Sequence, residues 1–357
     1  MSLFKDMLKD DETLFSNELA LDYDFVPKLL PHREEKQKYI AACIAPLIQS
    51  RNGKNLFIYG DPGIGKTAAT RWVLRDLEDE TEDVFPIYIN CWQKNTSYKV
   101  IVEICDQLGY RFTQNKKTDE LFRVAKGIIN NKKSAVFAFD EVDKLEDDDF
   151  LYMISEEIFK KSLLLITNYK EWIIHLDGRV KSRLTPDTLE FEKYSAREIT
   201  DILKERVKYA FYQDVWEDEA FDLIVEKAFE LGDVRQGIYL LRESGRCAEE
   251  VSSRRITSEH ATQAIKKLEE FSIKKSTDLE EDSQLILNII KENTGKRIGD
   301  LYRIYKEQGG DKTSKTFQRK IEKLEKARFI ETTKTGGGTA GNTTYVHRKK
   351  NKNLNDF

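Results

Sequence analysis

The stretch Leu56-Phe57-Ile58-Tyr59-Gly60-Asp61-Pro62-Gly63-Ile64-Gly65-Lys66-Thr67 decides how the fold of this chain is interpreted. Its first four residues are a short apolar run of strand-forming types that stops at Gly60, which predicts a buried strand. The next eight residues match G-x-x-x-x-G-K-[S/T] in full, and a helix is predicted from Lys66 to about Leu77. Glycines let such a loop curl until its N–H groups point at phosphate oxygens, and a helix N-terminus favours the same anions. The stretch therefore predicts a loop that binds the phosphates of a nucleotide.

The residues of this loop have distinct expected roles. Lys66 should reach the β- and γ-phosphates and act as a catalytic cation, and the Thr67 hydroxyl should ligate Mg²⁺. The residues from Gly60 to Thr67, together with Ala68 in the following helix, are the predicted nucleotide-binding set. The expected cofactors are therefore ATP or ADP with Mg²⁺.

Two further apolar runs end in polar residues. Val136-Phe137-Ala138-Phe139 precedes Asp140-Glu141, and Leu163-Leu164-Leu165-Ile166-Thr167 precedes Asn168. Beside a phosphate loop, Asp140 is expected to hold Mg²⁺ and Glu141 to polarise the attacking water as a general base. Asn168 is expected to orient that water.

Strands and helices alternate in the first half of the chain, which predicts a parallel sheet covered on both faces. The strand at 84–89 contains Pro86, which cannot donate to a ladder and so predicts a sheet edge. Helices are expected at 97–108 and 119–130. After Tyr194 the pattern becomes helical throughout, with predicted helices at 196–211, 217–231, 234–250 and 257–270.

The C-terminal part begins after a polar stretch at 272–282, which reads as a linker. Three short helices at 282–293, 297–308 and 313–327 precede two predicted antiparallel strands with a Gly/Thr-rich connection, which together predict a winged helix-turn-helix. The third helix buries one apolar stripe and turns a polar face outward, as a helix in a DNA major groove does. The predicted DNA contacts are Ser314, Lys315, Gln318 and Arg319 on that face, with Lys334 and Gly337 in the wing. A winged helix that contacts protein instead remains an alternative.

Charge is unevenly distributed along the 357 residues. Residues 275–357 hold 18 Lys and Arg against 12 Asp and Glu, whereas the whole chain has a formal net charge of −4. A basic end on an acidic body favours a polyanionic partner at that end. The 34% of charged residues also fits a heat-adapted protein with ion-pair networks, an alternative that composition does not separate.

Features of secreted or membrane proteins are missing from the sequence. The four cysteines are scattered and the N-terminus is too charged for a signal peptide. No apolar run approaches the roughly 20 residues that cross a bilayer. We therefore expect a cytoplasmic, nucleoid-associated protein with no membrane partner.

Taken together, these motifs resemble those of the AAA+ ATPases and, more narrowly, of the archaeal origin-recognition and helicase-loading initiators. The segment Leu30-Pro31-His32-Arg33-Glu34, the phosphate loop, Asp140-Glu141 and Asn168 are similar to that family's motifs, over about residues 10–345. Ile89-Asn90-Cys91 and the helix after it are similar to the segment where the family carries an initiator-specific insertion. The resemblance implies a nucleotide-binding α/β domain at 10–194, an all-helical lid at 195–272 and a winged helix at 278–348.

The resemblance also implies roles for three arginines. Arg179-Val180-Lys181-Ser182-Arg183-Leu184 resembles an element that supplies an arginine finger to a neighbouring subunit, and both Arg179 and Arg183 remain candidates. Gly232-Asp233-Val234-Arg235 resembles the second sensor of the lid, in which Arg235 would contact the nucleotide's γ-phosphate.

The function that the resemblance implies is initiation of DNA replication. Expected partners are duplex origin DNA, the replicative helicase and other initiator subunits, with slow ATP hydrolysis acting as a switch. Two alternatives remain open: a signal-transduction ATPase of the STAND type, and a DNA-binding module that holds nucleotide without turning it over.

Overall fold

A computed structural model describes residues 13–23, 25, 27, 30–277, 281–326, 330–335 and 343–348 of the chain. Within these residues, no helix combines the length and the apolar character that spanning a membrane requires. The chain divides into two compact units, Met1–Thr257 and Ser258–Phe357, which are described separately below.

The first unit contains a five-stranded parallel sheet. Its strands are β1 (Leu56–Gly60), β2 (Val84–Asn90), β3 (Ser134–Asp140), β4 (Lys161–Thr167) and β5 (Asp187–Phe191). They lie in the order β2-β3-β4-β1-β5. The prediction from Pro86 is confirmed, because β2 is an outer strand of this sheet. The order also places β1, which precedes the phosphate loop, beside β4.

Strand β5 was not predicted from the sequence. It pairs with β1 at the other edge of the sheet, and its five residues alternate between buried and solvent-facing positions. Thr188 and Glu190 therefore point away from the core, and the segment lacks the continuous apolar run that marks β3 and β4.

Seven helices of the first unit surround the sheet or follow its strands. They are α1 (Glu34–Ile44), α2 (Lys66–Glu80), α3 (Ser97–Gln107), α4 (Thr118–Lys132), α5 (Asp149–Glu157), α6 (Trp172–His175) and α7 (Gly178–Leu184). A buried core joins strands β1 to β4 to α3, α4, α5 and α7, and it includes Phe137, Ile104 and Leu121. Every residue of β3 is buried, which confirms a sheet covered on both faces.

Three further helices follow the sheet in the first unit: α8 (Ala196–Ala210), α9 (Asp218–Leu231) and α10 (Val234–Glu250). They pack on one another, and Gly237 allows the closest approach, because a Cβ there would lie 2.9 Å from the Cβ of Ala228. These helices correspond to the first three predicted for the lid.

The segment that precedes α1, called the leader below, packs against these same helices through residues 13–21. Phe15 forms an isolated backbone bridge with Phe211, and their rings lie 4.7 Å apart. The Phe15 ring also occupies the space beside Gly245 of α10, where a Cβ would lie 2.4 Å from a ring atom. A short 3-10 helix, Glu18–Leu21, follows and buries Leu21 completely.

The second unit holds four helices and a small antiparallel sheet. Its elements are α11 (Ser258–Thr277), α12 (Glu281–Glu292), β6 (Lys296–Arg297), α13 (Ile298–Glu307), α14 (Ser314–Lys326), β7 (Ile330–Thr335) and β8 (Thr343–Arg348). The strands lie in the order β6-β8-β7. Buried side chains of α12, α13, α14 and the sheet form its core, as expected for three helices followed by a hairpin.

The predicted linker at 272–282 is partly wrong. Helix α11 continues to Thr277, and α12 already begins at Glu281. Lys274 and Lys275 are good helix formers, so a polar composition did not distinguish a helical turn from a coil.

Candidate nucleotide site

The phosphate loop connects β1 to α2, as the sequence predicted. Gly60, Gly63 and Gly65 have φ angles of +146°, +77° and +90°, a region that side-chain-bearing residues rarely adopt. A Cβ at Gly65 would also lie 2.7 Å from the Tyr194 hydroxyl. The loop therefore depends on its glycines both for backbone conformation and for space.

Lys66 lies at the centre of the site and is 6% exposed. Its Nζ donates to the carbonyl oxygens of Gly60 (2.8 Å) and Asp61 (2.7 Å) and to Oδ1 of Asn168 (2.9 Å). Burial lowers the pKa of Lys66 to about 8, an effect that Asp140 opposes and Arg235 reinforces. The structure thus brings the predicted cation and the predicted sensor amide into direct contact.

The two predicted magnesium ligands also meet. Thr67 Oγ1 donates to Asp140 Oδ2 at 2.6 Å, and Asp140 is 4% exposed. A hydroxyl and a carboxylate are the hard oxygen donors that Mg²⁺ takes together with phosphate oxygens and water. No group of three or more His, Cys, Asp and Glu side chains within the described ranges could hold a metal by itself. The pair therefore fits a magnesium ion that enters with a nucleotide.

Tyr88 is a part of this site that sequence reasoning missed. Its hydroxyl donates to the same Asp140 oxygen at 2.8 Å, and burial raises its pKa far above the ordinary tyrosine value. The hydroxyl therefore stays protonated and remains a donor that fixes the Asp140 carboxylate. Alternation along β2 would have indicated that Tyr88 faces opposite to Ile87 and Ile89, but not that it reaches β3.

Glu141 follows Asp140 and has a left-handed backbone, with φ of 54°. Its backbone N–H donates to Asp140 Oδ1 at 2.9 Å. Burial raises the pKa of the Glu141 carboxyl above its ordinary value, and the nearby carboxylates of Asp140 and Asp143 add to the shift. A raised pKa suits a carboxylate that accepts a proton from water.

The lid reaches the loop through Asp233 and Arg235. Asp233 caps α10 by accepting from the N–H of Arg235, and its carboxylate also pairs with the Arg235 guanidinium at 2.8 Å. A Cβ added to Gly63 would lie only 1.9 Å from Asp233 Oδ1, so this carboxylate lies directly against the phosphate loop. The hydrogen bond with Asp233 raises the pKa of Arg235, which is half-exposed and interacts electrostatically with Glu141.

Arg33 was quoted for its motif but given no role, and the structure shows what it does. It is 4% exposed and donates to the carbonyl oxygens of Ile64 (3.1 Å) and Glu192 (2.8 Å). Its guanidinium lies 3.7 Å from the centroid of the Tyr194 ring. Arg33 therefore fixes the phosphate loop to the segment that leads into α8.

The two finger candidates differ in their surroundings on α7. Arg183 pairs with Glu156 of α5 and lies over the Tyr152 ring, with 5.3 Å between the guanidinium carbon and the ring centroid. Arg179 pairs with Asp177 at 3.1 Å, and its side chain is 81% exposed. Neither arginine makes a described contact with the phosphate loop.

In the second unit, Phe317, Ile321 and Leu324 of α14 are 1 to 2% exposed, which confirms the buried stripe. The predicted DNA contacts Ser314, Lys315, Gln318 and Arg319 are all exposed. Lys334 lies in β7, and Gly337 lies outside the described residues.

Sequence reasoning also missed an exposed basic and aromatic loop between α3 and α4. The loop contains Arg111, Lys116 and Lys117, and Phe112 is 78% exposed. The Tyr110 and Phe112 rings lie 6.0 Å apart, and Lys116 Nζ lies 4.9 Å from the centroid of the Tyr110 ring. The sequence signal was present, because aromatic and basic residues alternate at 110–112.

The sheet, the loop and the lid define a class of protein that the family comparisons also identify. The family model described as "AAA domain" matches residues 49–168, and that described as "Cdc6 AAA+ ATPase-type lid domain" matches residues 200–266. The class is therefore the AAA+ ATPases.

Individual relatives narrow the class to a family. The chain is 32% identical over 310 residues to ORC1-type DNA replication protein 1 of Sulfurisphaera tokodaii, covering 82% of this chain and 78% of the relative. It is 30% identical to ORC1-type DNA replication protein 2 of Methanothermobacter thermautotrophicus, covering 95% and 93%. The solved structure of the Aeropyrum pernix ORC1 protein in complex with DNA matches with a TM-score of 0.73 at 28% identity, covering 95% and 94%. The chain belongs to the family of ORC1-type DNA replication proteins.

Proposed function

We propose that this chain initiates DNA replication by binding duplex origin DNA in a manner switched by ATP. The observation that carries the proposal is the contact of Asp233 with the loop glycine Gly63, because it joins the lid to the phosphate site. Arg235 is held by the same carboxylate, so a change at the loop changes what both lid residues contact. Nucleotide state and lid position are therefore coupled by adjacent side chains.

Nucleotide binding would redirect donors that are satisfied internally in the structure. Lys66 now donates to two loop carbonyls, which are weaker acceptors than phosphate oxygens. Thr67 and Asp140 would hold Mg²⁺, which when bound neutralises charge on the β- and γ-phosphates. Arg235 would exchange the Asp233 carboxylate for the γ-phosphate and so report the presence of ATP.

Hydrolysis would depend on Glu141 as the base and on Asn168 as the group that orients water. Asn168 is held by Lys66 at 2.9 Å, so its amide orientation follows the lysine that contacts phosphate. Of the two finger candidates we favour Arg179, since Arg183 is already paired with Glu156 and packed on an aromatic ring. A finger that arrives only from a neighbouring subunit implies slow turnover in the isolated chain, which suits a switch.

DNA binding would use two surfaces. In the second unit, Arg319 and Gln318 lie on the exposed face of α14, where they can donate to base edges, and Lys315 can contact a phosphate. In the first unit, the loop that contains Arg111 and Phe112 offers cations and an exposed ring. The replicative helicase and other initiator subunits are the proposed protein partners, and the nucleoid is the proposed location.

The ATPase part is tested by measuring phosphate release from the wild-type chain and from the Glu141→Gln and Lys66→Ala variants, with and without duplex DNA. We expect slow phosphate release from the wild type and none from either variant. Glu141→Gln should still bind ATP as the wild type does, whereas Lys66→Ala should not. Equal inertness of the wild type and Glu141→Gln would instead identify a DNA-binding module that holds nucleotide without turnover.

The DNA part is tested by footprinting the full chain on its own genomic DNA and by titrating the protected duplex. Arg319→Ala should weaken binding by about 1–3 kcal/mol if Arg319 reads a base. Arg303→Ala is the matched control. This exposed arginine lies on α13, next to α14 in the chain, and pairs with Asp300 of its own helix. Absence of any protected duplex, with binding to an effector protein instead, would favour a signalling ATPase.

A further inference from the structure

A cleft of about 550 Å³ lies between α2 and the edge strand β2. Cavities of this size hold small-molecule ligands. Three stretches of chain line the cleft: Arg71, Leu74, Arg75 and Glu78 from α2, Tyr88 with its neighbour Pro86 from β2, and Phe25 from the leader. Neither the phosphate-loop residues nor the lid residues that contact them belong to this lining.

The described residues of the lining carry two guanidinium groups and one carboxylate. Arg71 and Arg75 are four residues apart on α2 and so lie on the same face of the helix. The Arg71 guanidinium lies 5.0 Å from the centroid of the Tyr88 ring. Arg75 is exposed and, among the described residues, makes no ion pair, so it is available to an anion. Glu78, the carboxylate among the described lining residues, lies one helical turn beyond Arg75.

The rest of the lining is apolar and partly aromatic. The Phe25 and Tyr88 rings offer stacking surfaces, and Leu74 and Pro86 supply apolar contacts. Guanidinium groups bind phosphate in a bidentate manner, and aromatic side chains stack on nucleobases. The cleft therefore combines recognition elements for a phosphate and for a planar ring within the dimensions of one nucleotide.

We propose that this cleft is a second binding site, separate from the phosphate loop, for a nucleoside monophosphate. Arg75 binds the phosphate, and the base stacks against Phe25 and Tyr88. The shared chemistry is that of a phosphate group, which inorganic phosphate also presents, so the aromatic contribution has to be tested separately.

The walls of the cleft connect it to the proposed ATPase site. Tyr88 holds Asp140, the proposed magnesium ligand, at 2.8 Å. The Phe25 carbonyl accepts from Arg206 of α8 at 3.1 Å, and the Arg206 guanidinium lies 5.1 Å from the Phe25 ring centroid. A ligand that contacts Tyr88 and Phe25 therefore touches residues that hold both the proposed magnesium ligand and helix α8 of the lid. This regulatory consequence, unlike the binding itself, rests on the proposed function.

The binding experiment uses the full chain with Lys66→Ala, in which the phosphate-loop site is disabled, and radiolabelled AMP in equilibrium dialysis. We expect one AMP per chain and a loss of roughly tenfold or more in affinity when Arg75→Glu is added, since a charge-assisted contact is removed. Arg123→Glu, on an exposed arginine of α4, is the matched control and should leave the affinity unchanged. Absence of AMP binding, or binding unaffected by Arg75→Glu, would overturn the site.

Two further measurements separate the parts of the proposal. Inorganic phosphate should compete with AMP only weakly, and competition as strong as that of unlabelled AMP would overturn the role of the two rings. In the chain with an intact phosphate loop, AMP should change the rate of ATP hydrolysis, and the change should disappear in Arg75→Glu. A rate that does not respond to AMP would overturn the regulatory role, whereas a wild-type chain without any hydrolysis would refute the ATPase proposal and leave the AMP result standing.

Discussion

ATP binding should be accompanied by uptake of a proton at Lys66 when the pH is near 8. Burial lowers the pKa of this lysine from 10.5 to about 8, which corresponds to a penalty of about 3 kcal/mol on its charged form. Phosphate oxygens beside the ammonium would restore its charge, because an opposite charge favours the protonated form. At pH 8 about half of the Lys66 side chains are neutral before binding, so about half a proton should be taken up per ATP.

The sign of the pH dependence follows from the same values. Below pH 8 Lys66 is already charged, and the affinity for ATP should not depend on its titration. Above pH 8 each binding event must protonate the lysine, so the affinity should fall by roughly tenfold per pH unit until its ordinary value of 10.5 is approached. The nucleotide itself contributes little, because its phosphates with Mg²⁺ remain ionised over this range.

Isothermal titration calorimetry measures this uptake directly. The apparent enthalpy of ATP binding at pH 8 should differ between HEPES and Tris buffers in proportion to about half a proton, and the difference should nearly vanish at pH 6.5. Arg235→Ala removes a charge that lowers the Lys66 pKa and should reduce the uptake at pH 8, whereas Arg179→Ala should not. Equal enthalpies in both buffers at pH 8 would refute the reasoning, since the ammonium would then be fully charged before ATP arrives.

Three other predictions follow from separate features of the fold. Arg33→Met removes a buried guanidinium from the Ile64 and Glu192 carbonyls and should lower the free energy of unfolding by about 3 kcal/mol in chemical denaturation, with exposed Arg197→Met as a neutral control. Phe317→Ala should destabilise the second unit by about 3–5 kcal/mol and strongly weaken duplex binding while leaving ATP binding intact, and loss of both activities would contradict this separation. ATP hydrolysis should decline in acid as pH falls through the raised pKa of Glu141, and a profile that remains flat down to the ordinary glutamate value would remove Glu141 as the base.

The sequence predicted the elements that are marked by continuous patterns. Strands β1, β3 and β4 each contain a continuous apolar run, because both faces of a central parallel strand are covered. Their polar ends, Asp140 and Asn168, could then be placed at one edge of the sheet beside the phosphate loop. The contacts of Thr67 with Asp140 and of Lys66 with Asn168 are consistent with that placement.

What the sequence did not predict depends on contacts between distant residues. Strand β5 has a burial pattern that a short loop could share, and only its register against β1 defines it as a strand. Tyr88 and Arg33 carry no signal of their own, since a tyrosine in an edge strand and an arginine at a helix start are usually solvent-facing. Their roles appear only when the fold brings Asp140 and Tyr194 beside them.

The docking of Phe15 beside Gly245 means that the helical lobe, formed by α8, α9, α10 and the leader, is discontinuous in sequence. Its first strip of chain and its three helices are separated by the whole nucleotide-binding sheet, which is in effect inserted between them. Trimming the polypeptide to begin at Glu34 would thus remove packing from a distant lobe while leaving every strand of the sheet in place. A change in how these helices pack would therefore reach the sheet domain through two chain connections, one from the leader to α1 and one from β5 to α8.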